Sequence, residues 1–274
     1  MIIRIGKKQV LVSLGILSLI LFSIFLDQSS SKLEVDFLDV GQGDATLIKI
    51  SSGPIILIDG GPDNSIIKRL GENMSNQKRQ IDLIIISHFH DDHITGLIEV
   101  LKRYEVKKII YQADSPSSKI WEIFLSTVKN KSIPLVTLDE AMQIKFTEDC
   151  FLNLLNPESL SIPEDDNNSL LTKLDCDGIK ILFTGDNNYK VEKALLDSDW
   201  DLSADILKIS HHGSKTANSE VFLQQVNPQK AVISVGADNR FNHPSPEIID
   251  RFNNLEIMIY RTDQQGDIHI LGQY

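Results

Sequence analysis

Between residues 84 and 93 the chain reads Ile84-Ile85-Ile86-Ser87-His88-Phe89-His90-Asp91-Asp92-His93. Three imidazoles and one carboxylate fall there in the spacing H-x-H-x-D-H, and these are residue types that bind divalent first-row metals. Alternate side chains of an extended segment point the same way, so His88 and His90 face one ion together. Asp92 and His93 follow at a turn and face a neighbouring point. Imidazole with carboxylate suits zinc, manganese or iron; calcium takes oxygen ligands. A bound ion of this kind lowers the pKa of its water towards about 7, which makes hydrolysis the chemistry on offer. A lone histidine in such a place reads as structural. Four ligand-type residues within six positions at the end of a strand do not.

The elements that must hold these residues are a buried strand ending at Ser87 and a helix that starts at once. In the helix Ile94, Leu97, Ile98 and Leu101 repeat at i, i+3, i+4 and i+7. Short β-branched runs predict further strands over 33–38, 45–50, 55–58, 108–111, 151–155, 170–176, 179–183, 206–209, 231–234, 257–260 and 268–271. Helical periodicity predicts helices over 66–74, 119–128, 191–196, 220–226 and 246–252. Strands in succession early, then strands mixed with helices, suit an α/β chain folded as an αββα sandwich: two sheets face to face with helices outside. The stretch from Asn156 to Asn168 reads as a surface loop.

His88, His90, Asp92 and His93 resemble the metal signature of the metallo-β-lactamase superfamily. Three other pieces fall in that family's order. Ile58-Asp59-Gly60-Gly61 resembles the strand-end aspartate that supports the metal loop. Leu182-Phe183-Thr184-Gly185-Asp186 resembles the strand-end aspartate that bridges two metals. Ile209-Ser210-His211-His212-Gly213-Ser214 resembles the late histidine motif. Taken alone, Asp186 reads as a helix N-cap and Asp59 as a turn residue. A narrower resemblance runs through nearly all of the chain after Leu33. It is carried by Asp39-Val40-Gly41-Gln42-Gly43-Asp44-Ala45, Asn167-Asn168-Ser169-Leu170, the 211–214 tetrapeptide, Asn242-His243-Pro244-Ser245-Pro246-Glu247 and Arg261-Thr262-Asp263 with Gly266. It is to the hydrolase domain of ComEC-type DNA-uptake proteins and its free-standing exported relatives.

The resemblance implies one or two divalent ions, zinc or manganese first, held by His88, His90 and Asp186 on one side. On the other side stand Asp92, His93, Asp186 and one of His211 and His212, with His211 slightly preferred because it comes first after the strand. One departure stands out: no histidine lies between His93 and His211, where many family members place another ligand. Asp92 or Asp186 would orient the attacking water. His243 would protonate a leaving group or bind a phosphoryl oxygen. Arg261, Lys215 and Ser214 are weaker anion contacts, and His269 reads as structural.

The net charge of −11 opposes bulk attraction to phosphate, although bound cations can invert that sign locally. No stripe of interleaved aromatic and basic residues is visible. The favoured substrate is nonetheless nucleic acid, single-stranded DNA above all. A small phosphodiester, a cell-wall phosphocholine ester or a lactone is the alternative, and a non-catalytic surface module is a third reading. Nothing points to a protein partner. Arg4, Lys7 and Lys8 precede an uncharged run, Val10 to Leu26, near the lower limit of about 17 residues for a membrane span. Residues 1–30 therefore read as a signal anchor, or as a cleaved signal peptide, with a linker. That places the hydrolase domain, residues 31–274, outside the cell membrane, or secretes it. Cys150 and Cys176 are the two cysteines; they read as buried free thiols, with a disulfide as the alternative in an oxidising compartment.

Overall fold

The computed structural model describes residues 33–75, 79–112, 118–160, 162 and 168–272. The proposed anchor, residues 1–30, lies outside them, as does Asn167. Among the described residues no helix is long and apolar enough to cross a membrane.

Two seven-stranded sheets pack face to face. The first is built from β1 (Leu33–Phe37), β2 (Thr46–Ile50), β3 (Ile55–Ile58), β5 (Leu83–Ile85), β7 (Ile109–Gln112), β8 (Leu135–Leu138) and β16 (Ile268–Leu271), in the order β16-β1-β2-β3-β5-β7-β8. The second is built from β9 (Ala141–Thr147), β10 (Cys150–Leu155), β11 (Leu171–Cys176), β12 (Ile179–Phe183), β13 (Ile206–Lys208), β14 (Lys230–Ile233) and β15 (Met258–Arg261), in sequential order. A two-stranded ribbon pairs β4 (Gln80–Ile81) with β6 (Glu105–Val106). Between the sheets lies an apolar layer that includes Val35, Phe37, Ile85, Leu154, Ile181, Phe183 and Val232. Helices α1 (Ser65–Asn73), α2 (Asp91–Arg103) and α3 (Lys119–Lys131) cover the outer face of the first sheet. Helices α4 (Tyr189–Leu196), α5 (Glu220–Val226) and α6 (Pro246–Asn254) cover the second, and a one-turn helix, α7 (Thr262–Gln265), precedes β16. This is the αββα sandwich.

Each sheet has an antiparallel half and a parallel half. β3, β5, β7 and β8 run parallel, as do β12, β13, β14 and β15. The candidate residues follow the carboxyl ends of these parallel strands, where open α/β sheets place their ligands. Asp59 follows β3, His88 follows β5, Asp186 follows β12 and His211 follows β13.

Two expectations are corrected. Cys150 and Cys176 are not free thiols. They sit directly opposite one another on β10 and β11, with Cα atoms 4.0 Å apart, and form a disulfide. Strand-like surroundings suggested burial, but cross-strand register cannot be seen in either segment alone. The supposed surface loop 156–168 is also buried at both ends. Asn156 donates to the carbonyl of Leu138, and Asn168 is almost fully enclosed.

Candidate metal centre

The strand-to-helix junction positions the first four candidates. Ile84 and Ile85 are fully buried in β5, so the chain leaves the sheet with Ser87 and His88 enclosed. His90 sits at the N-cap of α2 with extended φ/ψ, and Asp92 and His93 lie in its first turn. A carboxylate there is favoured by the unpaired amides and the helix dipole. His88 and His93 are fully buried, whereas Asp92 keeps 30% of its side chain exposed. The face open to solvent is thus lined by His90, Asp92 and His211.

Asp59 is the anchor of the junction. One of its oxygens accepts from the Ser87 amide at 2.8 Å. The other accepts from Ser87 Oγ at 2.6 Å and pairs with His93 Nδ1 at 2.8 Å. Nδ1–H bound to a carboxylate leaves Nε2 of His93 as the ligand atom, an arrangement common among metal-binding histidines.

Asp186 lies between the histidines. Its Oδ2 is 3.7 Å from His88 Nε2 and 3.8 Å from His211 Nε2. Its Oδ1 is 3.6 Å from His93 Nε2 and 3.8 Å from His212 Nε2. These separations are too long for hydrogen bonds. They suit ligand atoms that share an ion at about 2.0–2.2 Å each. Among the described residues, Nε2 of His88, Nε2 of His93 and Oδ1 of Asp186 are buried without a hydrogen-bond partner. A buried polar atom without a partner is costly, and divalent ions held by the two groups would satisfy all three, so the donor set fits a metal. His88, His90 and Asp186 form one compact group and Asp92, His93 and His212 a second.

Asp186 is not the cap of α4. That role belongs to Asn188, whose side chain accepts from the Lys190 amide. The Asp186 amide donates instead to Ser169 Oγ at 2.9 Å, and Asn187 clasps the Ser169 backbone through both side-chain atoms. Gly185 has φ +51, and a Cβ there would meet the Ser169 Cβ at 2.4 Å. Ser169 therefore occupies the place a side chain at 185 would need.

His212, and not His211, joins Asp92 and His93, with its Nε2 3.2 Å from Asp92 Oδ2. His211 was slightly preferred for coming first after the strand, but the turn after β13 reverses the chain and sets His212 beside Asp92 and His93. His211 and His212 both have positive φ, +51 and +52, so the second imidazole swings inward. Such strain, of order 1–3 kcal/mol per residue, persists where the surroundings hold it. The His211 amide donates to the Gly185 carbonyl, Ser210 Oγ donates to Thr184 Oγ1, and Asn218 clasps the Ser210 backbone. His212 Nδ1 donates to the Ser234 carbonyl at 2.9 Å, which frees Nε2 for the centre.

Burial favours the neutral form of His88, and the charge of His93 adds to it, so its pKa falls well below the usual value. Burial opposes charge on His93 and His212 too, but carboxylates win there. Asp186 and Asp59 raise His93 well above the ordinary value, and Asp186 with Asp44 lifts His212 to about 10. Burial would raise Asp92, yet His212 and His93 hold it at about 2. His243 is pushed down to about 4 by burial and by the charges of His211 and His212, so it is neutral at neutral pH. The imidazolium form is thus disfavoured at this position. Its ring lies 5.8 Å from that of His211, at the rim of the centre.

In the sequence Asp44 stood only within the resembling stretch 39–45, with no role, and Lys208 was missed. Asp44 is buried, accepts from Lys208 Nζ at 2.7 Å and lies 3.4 Å from His212 Nδ1. Lys208 is a buried cation in the apolar strand Ile206–Lys208, and a charge inside such a run was the available signal. Arg261 is engaged by Asp263 through two bonds, Nε–Oδ1 at 3.0 Å and Nη2–Oδ2 at 2.6 Å. Ser214 bonds Thr216 across a turn, and Lys215 is exposed. His269 pairs with the buried Asp36, whose other oxygen meets Lys49.

The family model of the metallo-beta-lactamase superfamily matches residues 38–237, which hold every ligand candidate named above. The chain belongs to the metallo-β-lactamase superfamily. Within it, the sequence relatives include competence and recombination proteins, consistent with the resemblance to the ComEC-type branch. It is 29% identical over 281 residues to ComE operon protein 3 of Bacillus subtilis, covering 95% of this chain and 36% of that protein. It is likewise 29% identical to Recombination protein 2 of Haemophilus influenzae, over 94% of this chain and 31% of that protein. The chain thus spans about a third of the length of these relatives. Among solved structures, the metallo-β-lactamase-fold protein YhfI of Bacillus subtilis superposes with a TM-score of 0.59 at 10% identity, covering 87% of this chain and 99% of that one. At that identity the likeness is one of fold.

Proposed function

We propose that the chain is a metal-dependent phosphodiesterase that cleaves DNA outside the cytoplasmic membrane, with single strands as its preferred substrate. The observation that carries the reading is Asp186, set between two groups of ligand-type atoms, with its Oδ1 and the Nε2 atoms of His88 and His93 buried without a hydrogen-bond partner. The choice of DNA is supported by the relationship to competence and recombination proteins. An extracellular place is supported by the Cys150–Cys176 disulfide, because such bonds persist in oxidising compartments. The cationic flank and apolar run at residues 4–26 supply an anchor or export signal for it.

His88, His90 and Asp186 would hold one ion, and Asp92, His93, Asp186 and His212 a second, zinc or manganese in either place. The ions supply an acidified water and positive charge beside a phosphoryl oxygen. That charge also offsets the acidic body of the protein where a phosphodiester must lie. Asp92 stays ionised down to about pH 2 and remains partly exposed, so it accepts a hydrogen bond from the attacking water and fixes its direction. His243, neutral at the rim, donates a hydrogen bond to a phosphoryl oxygen.

The full-length chain and a His90→Ala, Asp92→Ala double variant, incubated with labelled single-stranded and duplex DNA, test this. Manganese, zinc, magnesium and chelator are compared. Metal-dependent cleavage by the parent and none by the variant is expected. A parent that binds metal yet cleaves neither DNA under any ion would overturn the reading and turn attention to small phosphodiesters, phosphocholine esters and lactones.

A further inference from the structure

The loop after β14 carries a second feature beside the centre. Phe241 is half exposed, at 50%. The Arg240 guanidinium lies over its ring at 5.0 Å from the centroid. The Phe241 and His243 rings are nearly parallel, tilted by 17°, with centroids 5.9 Å apart. His243 in turn stands edge-on to His211, which faces Asp186. A file of rings and one guanidinium thus leads from the candidate ligands out to solvent.

The loop that presents this file is held tightly. The Asn239 side chain accepts from the amides of Phe241 and His243 and donates to the carbonyls of Gly236 and His243. The Ser245 amide donates to the Gly213 carbonyl, joining the loop to the histidine turn. A Cβ at Gly213, whose φ is +84, would meet the Pro244 Cβ at 2.5 Å, so the two backbones touch. An exposed ring on a clamped loop is organised before anything binds, which reduces the entropy lost on association.

Resting on the phosphodiesterase reading, we infer that Arg240 and Phe241 form a stacking platform for one unpaired nucleobase next to the phosphodiester in the centre. Aromatic rings and guanidinium planes both stack on bases without regard to sequence. The platform also selects the strand state. In a duplex both faces of a base are already covered by its neighbours, and the base must leave the stack before it reaches Phe241. The single-strand preference then originates in residues 240–241, outside the metal ligands.

The test uses full-length protein with manganese and two single-stranded oligonucleotides, one with all its bases and one abasic around the cut position. Phe241→Ala is compared with the parent and with Phe241→Trp. The parent is expected to show a lower KM for the base-bearing strand than for the abasic one. Phe241→Ala is expected to raise KM for the base-bearing strand about tenfold and to bring the two substrates together, and Phe241→Trp to restore the difference. A 2-aminopurine beside the cut, in chelator, gives a reading independent of turnover: its fluorescence is expected to be quenched by the parent and less so by Phe241→Ala. Cleavage by the parent with KM and quenching unchanged in Phe241→Ala would overturn the platform and leave the nuclease standing. A parent that cleaves neither oligonucleotide would remove the phosphodiesterase reading, and the platform with it.

Discussion

Asp59 makes no approach to solvent, yet it fixes both the Ser87 turn and the His93 ring. Asp59→Asn keeps the shape but cannot accept from both partners, so metal affinity is expected to fall ten- to a hundredfold. Competition with a chromophoric chelator reads that directly, and an unchanged affinity would reject the role. The adjacent histidines separate in the same assay. His212→Ala is expected to lose more affinity than His211→Ala, because His212 belongs to the compact group with Asp92 and His93. Proton balance provides a third check. His212 holds its proton up to about pH 10 in the metal-free protein, and His93 is raised as well. A ligating nitrogen must lose that proton, so ion binding at pH 8 is expected to release protons and to strengthen as pH rises towards 10. Calorimetry in buffers of different ionisation enthalpy measures the number released; zero would contradict these assignments.

At the scale of elements, the centre depends on turns at strand ends more than on the strands themselves. Gly185 is a tight one, so Gly185→Ala must push Ser169 away or shift Asp186. A loss of about 1–3 kcal/mol in unfolding free energy is expected from such crowding, with weaker metal binding alongside. Chemical denaturation of the metal-free protein gives the first quantity. The H-x-H-x-D-H segment was legible because its ligands are consecutive on one strand-to-helix junction. Of the partners that orient them, Asp59 and Ser169 were reached only through the family resemblance, and Ser234 and Asn218 not at all, since they come from separate loops and lack a signature of their own. β9 was missed although Met142, Ile144 and Phe146 alternate with exposed neighbours. Its single half-buried face gave a weaker signal than the fully buried β5. The choice between His211 and His212 rested on a backbone reversal that residue order conceals.

For the whole molecule, the sandwich brings the parallel ends of two sheets to one rim, which is how residues from 59 to 212 meet. The Cys150–Cys176 disulfide lies in the second sheet with a sequence separation of 26. Closing a loop of that size is worth about 3 kcal/mol. The Cys150→Ser, Cys176→Ser variant is therefore expected to unfold at lower denaturant, and reduction of the parent to match it. The acidic surface makes the metal ions a main source of attraction for a phosphodiester, so chelation should abolish turnover and weaken DNA binding, leaving the contact at residues 240–241. The most direct test of the account counts manganese or zinc per chain in the parent and in Asp186→Ala. Two ions in the parent and a loss at both positions in the variant are expected, because Asp186 faces His88 and His211 with one oxygen and His93 and His212 with the other. A parent that binds no ion, or a variant that keeps both, would contradict a centre built around Asp186.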